Sequence, residues 1–144
     1  MMDILNTIKK LARAYAESVQ TKAPEMNGTE LNSEKDFIPK FNPERQYTNF
    51  PIGYVCKSSA GRVVKLLQPY DSTIYTSEPE ELTAQWGFVW SDNPAHALPY
   101  IALSTSPYMV GNVCTENDIV YRSCIDNNVW SPSTYPAGWE VVTA

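Results

Sequence analysis

Between Asp126 and Tyr135 the sequence reads DNNVWSPSTY. It packs an indole, a phenol, two amides, a carboxylate and several hydroxyls into one short, turn-rich stretch. Flat rings lie well against the apolar C–H faces of pyranose sugars, while neighbouring amides and carboxylates take the hydroxyls. Trp130 and Tyr135 are therefore candidates for a stacking platform. Asn127 and Asn128 offer polar support, with Asp126 and Thr134 close by in sequence. An architectural role fits the same residues: Trp130 closing the open end of a small β-unit, and the Asn pair forming a turn. Both readings stay open at this level.

Other chemistry is thinly represented. His96 is the only histidine and stands in a turn-rich NPAHALP segment, without a cluster of Cys or carboxylates. No Cys-x-x-Cys spacing supports a metal site. No nucleophile elbow or Gly-rich phosphate loop occurs. Glu78–Leu82, EPEEL, reads as a solvated acidic loop, and a glycosidase pair of carboxylates needs a deeper cleft than small modules build. The expectation is a non-enzyme with no metal and no cofactor.

The elements that must carry the aromatic stretch can be read from pattern. Residues 3–20 form one amphipathic helix, because Ile4, Ile8, Leu11, Tyr15 and Val19 recur at helical spacing with Leu5 and Ala12 alongside. A helix of this length is marginal alone, so its stripe needs a surface: the chain's own β-region, a copy of itself or another protein. Residues 21–36 are polar, broken by Pro24 and Gly28, and read as a linker or loosely held arm. The Asn27-Gly28-Thr29 sequon within them is attributed to chance. From Phe37 onward short β-branched and aromatic runs alternate with Pro, Asn, Ser and Asp. Strands are expected at 52–56, 62–67, 86–90, 110–114, 118–124 and 139–142.

These strands contain a repeat. PIGYVC, Pro51–Cys56, recurs as MVGNVC, Met109–Cys114, 58 residues on. Each copy continues into a second strand, a Pro-containing loop and a Trp-led strand at Trp86 or Trp139. A unit this small needs very large side chains to build a core, so Trp86, Trp139 and Tyr108 are assigned inside. Gly53 and Gly111 are expected at turns or bulges that a Cβ would obstruct. The domain reading is a helix over 1–20, a linker over 21–36, a degenerate first module over 37–93 and a second module over 94–144.

Composition narrows the partners. The net charge of −5 and the lack of a Lys/Arg cluster argue against nucleic acid. No apolar run is long enough to cross a bilayer, and the N-terminal twenty residues lack the pattern of a signal peptide. Three cysteines cannot all pair within one chain, which suits the reducing cytoplasm at least until assembly or release.

The second copy resembles the small chitin-binding-type carbohydrate-binding modules of bacterial chitinases. The resemblance rests on Tyr108, Gly111, Asn112 and Val113, then Val120-Tyr121-Arg122, Trp130-Ser131-Pro132 and the closing Trp139-Glu140-Val141-Val142. Asn112 stands where Asp is common, and CTEND replaces the usual short turn. The first copy departs further: its loop from Gln68 to Gln85 is long and its second strand lacks the Tyr. The whole layout is similar to small proteins encoded among bacteriophage tail genes, through Ala12–Ala16 (ARAYA) and the Asp36–Tyr47 lead-in DFIPKFNPERQY. That resemblance implies a mainly β fold with an N-terminal α-helix and two tandem small antiparallel β-modules of the chitin-binding type. It also implies a virion structural protein, of the tail, baseplate, fibre or head surface, made in the bacterial cytoplasm. Expected partners are other virion proteins, copies of itself and host-surface polysaccharide.

Overall fold

The computed structural model describes residues 3–143. Helix α1 spans Asp3–Lys22, with Asp3 at its positive N-terminal end and Lys22 in its last turn. Its C-terminal part docks on the rest of the chain. Val19 is buried with Ala23, Leu31, Ile38, Val55 and Val63. The Gln20 side chain bonds both backbone groups of Val55, donating to its carbonyl at 2.7 Å and accepting from its N–H at 2.9 Å. That pair occupies hydrogen-bonding groups on an edge strand which would otherwise invite another chain.

Residues 21–36 are not a loose linker. Lys22 is followed by a 3-10 turn at Ala23–Glu25, and α2 covers Gly28–Ser33. Asn27 caps α2: its Oδ1 accepts from Glu30 N–H at 2.8 Å, and Glu30 Oε1 accepts from Asn27 N–H at 3.1 Å. Leu31 is fully buried, and Asn32 Nδ2 donates to the carbonyls of Gly28 and Val89. The polar residues that suggest a linker are consumed by capping and docking, so two well-aimed apolar residues, Ala23 and Leu31, suffice to hold the segment. Asn27 of the sequon is the cap itself.

The β-region holds two sheets. In the first, β1 (Val55–Lys57), β2 (Val63–Leu66) and β3 (Trp86–Phe88) pair antiparallel in that order. In the second, β4 (Leu98–Pro99) lies parallel to β5 (Val113–Glu116), which continues antiparallel through β6 (Ile119–Ser123) to β7 (Trp139–Val141). The fold is thus mainly β with an N-terminal helix. The strands expected at 52–56 and 110–114 begin later, because Pro51–Tyr54 and Met109–Asn112 each close a turn. Gly53 (φ +93°) and Gly111 (φ +96°) supply the left-handed residue of those turns. The two-residue β4 has too few residues to show a period and escapes sequence pattern.

The two sheets repeat each other bond for bond. Gly53 N–H donates to Leu66 O and Gly111 N–H to Ser123 O, at 2.8 and 2.9 Å. Phe41 N–H donates to Lys57 O as Tyr100 N–H donates to Thr115 O. The first sheet therefore also has a parallel lead-in, reduced to a bridge between Lys40 and Lys57. Each closing Trp meets a phenol edge-on: Trp86 with Tyr47 at 5.1 Å, Trp139 with Tyr108 at 5.4 Å.

The two halves share one core. Trp90 at the end of the first stacks on Tyr108 of the second at 4.4 Å, and its Nε1 donates to Ser106 O. Arg62 spans them, pairing with Glu80 at 2.9 Å and donating to Pro99 O at 3.0 Å. Glu80 and Glu78 also accept from Ser58 Oγ and Ser59 N–H, so the EPEEL segment is tied down and not merely solvated. Among the described residues no helix is long and apolar enough to cross a membrane.

Candidate functional site

The aromatic stretch leaves the end of β6 and returns to β7, and its interior is built around Asn128. That residue has 0% exposure. Its backbone exchanges two hydrogen bonds with Tyr108, at 2.8 and 3.0 Å. Its Nδ2 donates to Ser123 Oγ and Gly138 O, both at 3.0 Å, and its Oδ1 accepts from Trp130 N–H at 3.3 Å. Both amide protons and the amide oxygen are engaged inside the fold. Asn128 is therefore a structural post and not a ligand contact, contrary to the sequence expectation.

Asn127 behaves differently. It is exposed, with φ +54°, and its backbone N–H points at Met109 Sδ at 3.4 Å. A left-handed non-glycine is uncommon, though Asn tolerates it better than most residues. Here it lifts the Asn127 side chain onto the rim of a recess lined by Ile125, Asp126, Asn127, Trp130, Thr134 and Tyr135. One carboxylate oxygen of Asp126 is held by Val110 N–H at 3.0 Å. Glu116, at the end of β5, clamps the far side by accepting from Ser133 N–H and Oγ.

Trp130 and Tyr135 meet in this recess, 47% and 42% exposed. The Trp130 carbonyl accepts from Trp139 Nε1 at 2.9 Å, which anchors the backbone while the indole faces outward. The ring centroids are 5.5 Å apart with planes at 66°. The two rings form a floor and a wall, not the flat platform expected. One ring can take an apolar face of a ligand while the other bounds its edge. Gly138 makes room, since a Cβ there would approach Tyr135 Cδ2 to 2.9 Å.

The first half shows how this recess arises in the second. Tyr70 stands where Trp130 does, at the head of an equivalent turn: Tyr75 N–H donates to Asp71 O as Tyr135 N–H donates to Ser131 O. Residues Ile125, Asp126 and Asn127 have no counterpart between Leu66 and Tyr70. With the shorter connection Tyr70 sinks into the core and its hydroxyl accepts from Trp86 Nε1 at 2.8 Å. The longer connection carries Trp130 outward and builds the rim. Equal turns with unequal lead-ins were the signal available in the sequence, hidden because the aromatic residues differ.

The remaining sequence candidates fall as follows. Ile4, Ile8 and Leu11 on α1 are exposed, at 71%, 56% and 65%. Tyr15 is turned onto Phe37, with ring centroids 4.5 Å apart, and its hydroxyl donates to Glu34 at 2.8 Å. Val19 belongs to the core, so the five stripe residues do not act as one surface. Cys56 and Cys114 are buried, and burial pushes the Cys114 thiol up to about 12 and that of Cys56 higher still. Neither is a thiolate near neutral pH. Among the described residues no cluster of His, Cys, Asp and Glu is arranged to hold a metal ion. No protein-family model matches the chain, and no curated protein matches it in sequence.

Proposed function

We propose that this chain is a structural protein of a bacteriophage virion, associated with the tail, baseplate or fibre. On this reading α1 holds it to the particle and the two chitin-binding-like β-modules face outward. The supporting observation is α1 itself: residues 3–15 are all exposed, and three bare aliphatic side chains line one face. An isolated helix of that size is marginal in water, and a contiguous exposed apolar stripe marks a contact surface. A head-fibre or decoration role would use the same helix in the same way. The reading assigns no catalysis and no cofactor.

A tagged copy followed through density-gradient purification of particles tests it. The wild-type chain is expected to travel with the particles, and Ile4→Asp/Leu11→Asp to remain at the top of the gradient. Both side chains are exposed, so the fold survives the change. Wild-type protein absent from the particle band sinks the proposal.

Glycan attachment is the second reading, favoured by the Trp130 indole facing outward beside Asn127 and Asp126. Pull-down on insoluble chitin and peptidoglycan should show retention weakened at least about tenfold, 1.4 kcal/mol, by Trp130→Ala. The thermal midpoint should hardly move, since the backbone carbonyl that serves Trp139 remains. Equal retention of variant and wild type would remove Trp130 from any sugar site.

A further inference from the structure

We infer that the partner of α1 is a second copy of this chain, which packs its own α1 along the same stripe. This deepens the assembly role of α1 proposed above and rests on it, but not on the identity of the particle.

The seam is suited to a copy of itself. Ile4, Ile8, Leu11 and Tyr15 alternate at steps of four, three and four, the spacing that lets two helices interleave side chains. No charged residue falls on that face. Lys9 and Lys10 lie on the rest of the circumference, and Arg13 shares the bordering groove with Glu17 and Asp36, so two identical helices can meet along the seam without setting cations against each other.

Area argues for a contact larger than the seam alone. The exposed parts of Ile4, Leu5, Ile8, Leu11 and Tyr15 come to roughly 600 Å² per chain, against about 800 Å² per partner in a standard interface. The missing part is at hand. A mostly apolar groove runs beside α1 between Ala12 and Ala16 on the helix and Phe37, Pro39 and Tyr54 on the body. Ala12 borders both the stripe and the groove, and the two small side chains admit a close helix approach. Stripe and groove together form one continuous surface that falls within the range of stable interfaces, about 600–1,000 Å² per partner.

The test is molar mass of the full chain by light scattering and sedimentation equilibrium, from about 1 to 100 µM. The chain mass is 16.2 kDa, and wild type is expected at twice that or an integral multiple. Ile8→Asp/Leu11→Asp should run as a monomer over the whole range. Ile8→Ala/Leu11→Ala, which keeps helix propensity, should weaken association at least about 100-fold. Lys9→Glu/Lys10→Glu, away from both the stripe and the groove on the same helix, should associate like wild type. Circular dichroism and Trp fluorescence report whether each variant is folded.

A monomeric wild type at 100 µM overturns the inference, as does dissociation by the Lys9/Lys10 variant or undiminished association of the alanine variant. The particle experiment separates the two proposals. A monomer that still sediments with particles leaves the virion role standing with a different partner for α1. A self-associating chain absent from particles removes the virion role and leaves the pairing of α1 in place.

Discussion

Trp86→Ala is expected to cost about 4–5 kcal/mol, a large share of the roughly 5–15 kcal/mol that holds a domain folded. Trp86 has no exposed surface and is met edge-on by Phe41, Tyr47 and Tyr70, at 5.9, 5.1 and 6.1 Å. Removal opens a large cavity, forfeits these ring contacts and leaves the buried Tyr70 hydroxyl without the indole N–H. Trp139→Ala should cost less, about 3 kcal/mol. It has fewer ring neighbours, Tyr100 and Tyr108, and its Nε1 partner is a backbone carbonyl at the edge of the recess. Urea denaturation of both variants checks the order. A Trp139 variant that is the less stable of the two would show that the shared core is centred on the second sheet.

Gly28→Ala carries the second large effect, at a position with no special backbone angle. An added Cβ would sit 2.0 Å from the Trp90 carbonyl oxygen and 2.9 Å from the same residue's N and C. Backbone cannot swing aside as a side chain does, so α2 must lift away from the end of β3. That movement breaks the Asn32–Val89 bond and strains the Asn27 cap. The cost is expected at the upper end of overpacking, about 3 kcal/mol, or a melting point lower by roughly 6–12 °C. Gly61→Ala is the control. It has φ +83° but open space around it, so only the modest left-handed penalty of about 1 kcal/mol applies. A Gly28 variant melting within a degree of wild type would show that α2 is not seated on Trp90.

Gly28 also illustrates where sequence reading stops. In sequence it looks like a linker glycine beside Asn27, and nothing nearby in the chain tells that Trp90 will rest against it. Asn128 is a similar case. Asn127 and Asn128 are the same residue side by side, yet one is on the rim and the other has its amide consumed by Ser123, Gly138 and Trp130. Adjacent positions in an irregular loop point in different directions, and only the surrounding packing says which points inward. Tyr70 and Trp130 make the point for aromatics: comparable turns, opposite burial, decided by the length of the connection that precedes them.

What the amino-acid order determined by itself were properties set among near neighbours. The amphipathic rhythm of α1, the left-handed turns at Gly53 and Gly111, the strand runs after them and the two closing indoles all follow from local sterics and periodicity. Tertiary structure alone decided that the two sheets fuse through Trp90 and Tyr108, that residues 21–36 dock, and that α1 keeps Val19 while leaving Ile4, Ile8 and Leu11 bare. Burial depends on which distant surfaces arrive to cover a side chain, and that information is spread over the whole chain.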